Sequence, residues 1–439
     1  KKWEENIPKQ SCLKLPDEHF QFLYDVALRT LLLHSPEDVY PGPFTYKRFW
    51  FRDAAFILNA MLCVGFSDRV ERALDRFPSR QKQFGYFLSQ EGEWDSNGEA
   101  LWTFKRFCQL TRRAPSPEWK DSIYKGGEWI QRKRLPTKPE TVHAGLLPPG
   151  FSAEHLGPND YYYWDDFWGI AGLKAAGFLA EAYGDQSRAE PFYREADDFQ
   201  QCVERSLSQV DQRLQQAAIP ASPYRRLDAG AIGSIVADYP LQLCPANDER
   251  IHRTLEFLIQ HCIVRGGFFQ DMTHSGINPY LTLHMAQVLL RAGDSRCFDF
   301  MKAVAQLASP TGQWPEAVHP QTGGGCMGDG QHVWAAAEWV MMIRNCFVLE
   351  ETEGHRLVLC AGIPQIWLEQ EGEISFGPTA TLFGDVSVSV YAGQEKASVK
   401  WSAQWLAGEP GIDVCLPGFS KVTAKKGQTS LQLERGSMK

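Results

Sequence analysis

Phe49-Trp-Phe-Arg-Asp-Ala-Ala-Phe56 opens a run of apolar residues that continues with helical spacing to about residue 65. Working outward, apolar positions three and four apart predict segments near 17–33, 68–79, 97–113, 117–133 and 165–183. The same spacing recurs near 187–207, 228–238, 248–262, 278–292, 294–307 and 330–347. Pro and Gly punctuate the joins, as at Pro41-Gly-Pro43, Pro148-Pro-Gly150 and Gly323-Gly-Gly325. About twelve helices, joined alternately by short and long loops, predict paired hairpins closing into a toroid, a mainly α fold. The long loops would gather at one mouth and carry function. After about residue 350 the period changes. Val386-Ser-Val-Ser-Val390 alternates at period two, 396–405 is a second strand-like run, and Arg356-Leu-Val-Leu359 is a first strand or the link into one. The division expected is a helical domain over 1–350 and a small β-sandwich over 351–439.

Composition narrows the function classes. The 439 residues are 44% hydrophobic and 12% aromatic, enough for a large core. The net charge of -8, without a long basic run, argues against nucleic acid or an anionic membrane as partner. No stretch approaches the ~20 apolar residues of a membrane span. Eleven cysteines, with no C-x-x-C pair, read as buried free thiols rather than a disulfide framework or a zinc site. That suits a reducing compartment, and a cytoplasmic location is expected. The chain opens Lys1-Lys-Trp-Glu-Glu, without an initiator Met or an apolar leader, as processing or an absent upstream part would leave it. Gly323-Gly-Gly-Cys-Met-Gly-Asp-Gly330 lacks the Gly-Lys-Ser/Thr ending and the preceding strand of a phosphate loop. No cofactor or metal is expected.

Two carboxylates lie in unusual surroundings. Glu154 sits in Gly150-Phe-Ser-Ala-Glu-His-Leu-Gly-Pro-Asn-Asp160, and Glu316 in Gln313-Trp-Pro-Glu-Ala-Val-His-Pro320. Both loops are rich in Gly, Pro and aromatics, lack lysine or arginine, and lead into apolar helix-patterned segments. Cleaving a glycosidic bond needs such a pair: one acid protonated to assist the leaving oxygen, one ionised to drive water onto the anomeric carbon. The block Tyr161-Tyr-Tyr-Trp-Asp-Asp-Phe-Trp168 follows immediately, so Asp160, Asp165 and Asp166 compete with Glu154 as the acid. Aromatic surroundings would raise any of the four by desolvation. Asp165 or Asp166 could equally cap the following helix.

These segments resemble the six-hairpin (α/α)6-barrel glycosidases, particularly the glucoamylase-like members of glycoside hydrolase family 15. Phe49-Trp-Phe-Arg-Asp-Ala-Ala-Phe56 is similar to their W-x-R-D-A-A-F segment, whose Arg-Asp pair holds the non-reducing sugar. Pro315-Glu-Ala-Val-His-Pro-Gln-Thr-Gly323, followed by His332-Val-Trp-Ala-Ala-Ala-Glu338, resembles their P-E-Q…G…W-S-x-A-E ending, where the first Glu is the general base. Ser152-Ala-Glu-His-Leu-Gly-Pro-Asn-Asp160 is closer to P-D-E-Y-H-G-P-x-D of glycoside hydrolase family 65, where the Glu is the general acid. The likeness covers roughly residues 40–347 at low identity. The W-E-E acid segment usual in glucoamylases is absent, so the base is better placed than the acid.

The resemblance implies a glycoside hydrolase, glucoamylase- or α-glucosidase-like, that removes a terminal glucose-type sugar from an oligosaccharide or glycoside. Glu154 would donate the proton and Glu316 activate water, with inversion and a carboxyl separation of roughly 6.5–9.5 Å. Arg52 and Asp53, otherwise a buried ion pair, would grip sugar hydroxyls. Trp50, Trp94, Trp164 and Trp314 could stack on pyranose rings; any single one is more often core, and four beside the candidate loops shift that balance. Asp95 is expected to cap or turn, with sugar contact as the alternative. His332 and Trp334 would brace the base loop, and His274–Tyr280 falls where related enzymes place substrate-side residues. The rivals are a disaccharide phosphorylase on the same barrel and a non-catalytic carbohydrate-binding protein.

Overall fold

The computed structural model describes residues 11–152, 158–271, 275–393 and 395–435. The carboxylate at 154 and the imidazole at 274 lie outside them.

Helices alternate between an outer and an inner position along the chain. The outer α1 (Glu18–Leu33) leads to the inner α2 (Phe51–Cys63), and the outer α3 (Ser67–Leu74) to the inner α4 (Ser96–Thr111). Then come α5 (Lys120–Lys133) outside, α6 (Tyr163–Ala182) inside and α7 (Gln186–Leu214) outside. A 3₁₀ segment, Ala229–Ala237, takes the next inner place, followed by the outer α8 (Glu249–His261). The inner α9 (Pro279–Arg291), the outer α10 (Cys297–Leu307) and the inner α11 (Val333–Phe347) complete the series. The inner elements touch in the order α2, α4, α6, 3₁₀ segment, α9, α11, and α11 closes the ring on α2.

Sequence explains this sorting. Every residue of α2 and of α11 is buried, as an element walled on all sides requires. The outer α8 buries only Ile251, Thr254, Leu255 and Leu258, a single stripe at helical spacing. Asp17 caps α1, accepting the His19 and Phe20 N–H groups, and Asp248 caps α8, accepting that of Ile251. Residues 229–237, AGAIGSIVA, carry two glycines and three β-branched residues, poor α-helix formers, and they wind as 3₁₀.

α11 runs without a loop into the strand Val348–Glu351, the start of the small C-terminal β-sandwich. One sheet orders Val422–Thr423, Gly411–Val414, Arg356–Leu359 and Val348–Glu351. The other orders Cys12–Lys14, Ile374–Thr381, Gly384–Ala392, Lys396–Trp405 and Ser430–Glu434. The alternating valines face inward: Val386, Val388 and Val390 are buried and pair with Ala403, Trp401 and Val399. The strand from the N-terminal part of the chain, Cys12–Lys14, is too short to show a period in the sequence. A third sheet, of two- to four-residue strands between 263 and 327, lies at the functional mouth and was equally invisible.

Candidate active site

The N-terminal ends of five inner helices converge on one mouth, and acidic side chains collect where the helix dipoles favour them. Arg52, in the first turn of α2, is buried and turns toward α4. Its Nε donates to Asp95 Oδ2 at 2.9 Å, and its Nη2 lies 2.9 Å from the same oxygen and 3.5 Å from Glu93 Oε1. Trp164 Nε1, from α6, also donates to Asp95 Oδ2 at 2.8 Å. Asp95 therefore ties three inner helices together. Burial raises the Glu93 carboxyl, with Arg52 opposing it.

Asp53 faces the other way, toward α11. Burial pushes its carboxyl up to about 7; Arg52 opposes this, and the nearby Glu316 carboxylate adds to it. His332 Nε2 lies 3.7 Å from Asp53 Oδ1, but burial takes the His332 ring down to about 3. At neutral pH the imidazole is uncharged, so this contact is not an ion pair.

Glu316 is positioned by its neighbours in chain and in space. Trp314 is enclosed: its Nε1 donates to the Val304 carbonyl at 2.8 Å and its ring packs on Trp339. The Trp314 carbonyl accepts the His332 N–H at 2.7 Å, and the Pro41 carbonyl accepts the Val333 N–H at 2.8 Å. Two N–H groups that the start of α11 leaves open thus pin both mouth loops. Asn278 Nδ2 donates to the Glu316 carbonyl at 3.3 Å, and the Glu316 side chain accepts a hydrogen bond from the Tyr46 hydroxyl. Asp329 organises the Tyr46 loop by accepting the backbone N–H groups of Phe44, Thr45 and Tyr46 at 3.1, 3.0 and 3.0 Å. Burial alone would raise the Asp329 carboxyl, but these three donors outweigh it and hold it below the usual range. Gly328 has φ +67°, and a Cβ there would stand 2.8 Å from Tyr46 and 2.9 Å from Glu316 Oε2.

The expected residues thus fall into distinct places. Arg52, Asp53, Asp95, Glu316 and His332 come together at the mouth. Asp165 is buried, neither oxygen has a hydrogen-bond partner among the described residues, and burial, then Asp95 and Asp166, drive its carboxyl well above the ordinary range. Asp166 points elsewhere, accepting the Leu147 N–H at 2.8 Å, and burial raises it to about 8. Asp160 accepts the Ser222 hydroxyl at 2.7 Å and pairs its backbone with Gly150, which holds the two ends of the 150–160 loop. Trp164 and Trp314 are core residues without an open ring face, and Trp94 is buried, with Lys133 Nζ 3.5 Å from its ring centroid. Trp50 is the half-exposed member of the four, with the Arg48 guanidinium 4.3 Å from its ring. Tyr46 and Asp329 were missed, because a tyrosine and an aspartate some 280 residues apart carry no local signal. Also missed was a buried cluster on Glu338: Tyr239 donates to it at 2.9 Å, Trp334 Nε1 at 3.2 Å, and His284 Nε2 lies 3.2 Å away. Among the described residues no group of His, Cys, Asp or Glu is arranged to hold a metal.

No family model and no curated protein matches the sequence. Solved structures do. A bacterial glucoamylase complexed with acarbose aligns over 73% of this chain and 55% of its own, at 16% identity and a TM-score of 0.54. A glycosidase E335A variant in complex with glucose aligns over 75% and 98%, at 14% identity and 0.59. An α-L-rhamnosidase from Dictyoglomus thermophilum aligns over 97% and 49%, at 12% identity and 0.64. The fold is a helical toroid with a C-terminal β domain, as in these glycosidases. The chain spans about half the length of the glucoamylase and of the rhamnosidase, but nearly all of the glycosidase. At these identities the likeness is one of fold, and what the chain does has to be argued from its own site.

Proposed function

We propose that the protein is an inverting glycoside hydrolase that removes a terminal glucose-type sugar from a short oligosaccharide or glycoside. The observation that carries this is Glu316, held by Tyr46 at a mouth whose floor carries Arg52, Asp53 and Asp95. The glucoamylase and glycosidase with similar folds are recorded with acarbose and with glucose, which supports a sugar at the corresponding mouth here. Glu316 would accept a proton from water as it attacks the anomeric carbon. Glu154 remains the assigned acid on its motif. Of the three rivals, Asp160 and Asp166 have structural hydrogen bonds to keep, and Asp165 is the one whose surroundings hold a proton. Asp53 and Arg52 line the floor, where partly protonated Asp53 can both donate to and accept from a sugar hydroxyl.

The test is a panel of disaccharides and aryl glycosides, with the anomer of the first product followed by NMR, with and without phosphate. Hydrolysis with inverted configuration, lowered at least about 10²-fold in Glu316→Gln while substrate still binds, is the expected result. Retention, a requirement for phosphate, or full turnover in Glu316→Gln would refute it.

A further inference from the structure

The toroid has a second polar cavity at the end opposite the active site. It occupies about 130 Å³ and is lined by the C-terminal halves of α2, α4, α9 and α11 and by the start of the β-sandwich. Arg106 lies about 16 Å along α4 from Asp95, and Arg344 about 18 Å along α11 from His332, at about 1.5 Å per residue. The cavity is therefore separate from the sugar site.

Several of its side-chain acceptors are already used. Glu350 takes Arg344 Nη2 at 2.5 Å on one oxygen and the Leu382 N–H at 2.6 Å on the other. Gln242 Oε1 accepts the Thr352 N–H and hydroxyl at 3.0 and 2.8 Å, and Gln287 Oε1 accepts Asn345 Nδ2 at 2.9 Å. What is left over donates. Gln287 Nε2 is buried without a partner. Arg106 gives Nε to Asn59 at 3.0 Å, but its nearest carboxylate, Glu350, is 4.0 Å away. Lys105 has no hydrogen bond or ion pair among the described residues. Arg291, by contrast, is matched by Asp238 at 2.6 Å and Glu351 at 3.0 Å. Two cations and one amide donor thus face a polar hole whose lining carboxylate, Glu350, is already engaged by Arg344 and the Leu382 N–H. Burial, then the neighbouring Arg106 and Lys174 charges, lower the Lys105 ammonium to about 8, as expected of a cation lacking an anion.

We propose that this cavity binds a compact phosphate-type oxyanion, free or as the phosphoryl end of a small metabolite, through Lys105, Arg106 and Gln287 Nε2. Size supports the class of ligand. A cavity of roughly 150 Å³ accommodates benzene, whereas sites for larger organic ligands start near 300 Å³, so a tetrahedral anion fits and a disaccharide does not. Because Arg344 and Glu350 also bond the 379–382 segment, a bound anion would brace the junction of toroid and sandwich.

The experiment is equilibrium dialysis of the full chain against inorganic phosphate and, in a second arm, a sugar phosphate, at fixed ionic strength balanced with chloride. Saturable binding of one anion per chain is expected, kept in Glu316→Gln and weakened at least about tenfold in Lys105→Met. Gln287→Glu, which supplies the missing negative charge internally and keeps the bond to Asn345, should abolish binding. It serves if Lys105→Met fails to fold. Tighter binding of the sugar phosphate would assign the site to a phosphorylated metabolite, and equal or weaker binding to the free ion. No saturable binding at millimolar phosphate, or binding unchanged in both variants, would overturn the proposal.

Discussion

Asp329→Asn tests how the mouth is held together. Asp329 Oδ2 accepts the N–H groups of Phe44 and Tyr46, and Oδ1 accepts that of Thr45. Asparagine keeps one acceptor oxygen and points an NH₂ at whichever N–H remains. At least one charge-assisted bond is lost, worth about 1.5–3 kcal/mol, and the retained ones weaken as the charge disappears. Phe44 and Thr45 are exposed, so water can take their N–H groups and soften the loss. A net of about 3 kcal/mol corresponds to about a hundredfold shift from the ordered toward the opened loop. Native-state hydrogen exchange reads this directly. Protection of the amides at 44–46 should fall about a hundredfold while those of α11 stay unchanged, because local opening is not global unfolding. Acid gives the sign. The Asp329 carboxyl is held below its unfolded value, so its contribution is present above the ordinary carboxyl pKa of about 3.9 and is lost as pH falls through the lower folded value. The loop should therefore lose protection in strong acid in the natural protein and show no such transition in Asp329→Asn. Unchanged protection at 44–46, or a parallel loss throughout α11, would refute the reasoning.

Three further outcomes are expected. Asp166, raised by burial to about 8, is protonated when folded and ionised when unfolded at pH 7, so its contribution is complete below about pH 3.9 and is lost at about 1.4 kcal/mol per pH unit until about pH 8. Asp166→Asn, whose Oδ1 can still accept the Leu147 N–H, should flatten that slope in urea denaturation and leave turnover in place; a hundredfold loss of turnover would make Asp166 the acid instead. Arg52→Met leaves Asp95 and Glu93 uncompensated and should cost about 3–5 kcal/mol of stability by denaturant titration, partly restored by adding Asp95→Asn. Gly323 and Gly328 have similar positive φ, +71° and +67°, but only Gly328 faces Tyr46 and Glu316; alanine should cost each about 1 kcal/mol of strain, and only Gly328→Ala should also lose turnover.

The ring of helices was legible because each has a period that survives tertiary packing. Segments expected near 50–65, 278–292 and 330–347 are the helices Phe51–Cys63, Pro279–Arg291 and Val333–Phe347. α7 was expected to stop near 207 and runs to Leu214, because its last two turns are mostly Gln, Asp and Arg around one buried valine, Val210. The candidate site was legible where polar and aromatic residues are concentrated in a few consecutive positions, as in Arg52-Asp53 and Trp314-Pro-Glu316, which the fold brings to one mouth. It was illegible where function depends on a hydrogen bond across the mouth. Nothing local distinguishes Tyr46 from the other tyrosines, or Asp329 from a turn aspartate. Tryptophans are ambiguous for a related reason: an indole beside a candidate loop serves equally to anchor it from beneath, as Trp314 does through Val304.

The charge balance at the mouth bears on what it can receive. Among the described residues, Glu93, Asp95, Asp53, Asp165 and Glu316 collect at a mouth whose buried guanidinium, Arg52, pairs with Asp95 and Glu93. A cationic substrate could neutralise such an excess, but burial itself favours protonation of part of it. Asp165 is driven well up, Asp53 stands at about 7, and His332 adds no positive charge because its ring is neutral. Helix N-termini offset part of what remains. Under the proposed function, such a floor would hold an uncharged polyol through hydroxyl hydrogen bonds without a counter-ion. If the reaction is glycoside hydrolysis, the residual negative charge then favours the oxocarbenium-like transition state over the neutral ground state. Asp53→Asn separates these roles: it keeps a hydrogen-bonding group and removes the titration, so sugar affinity should hold while turnover loses its dependence on pH near 7. An unchanged pH profile would place the charge that matters elsewhere on the floor.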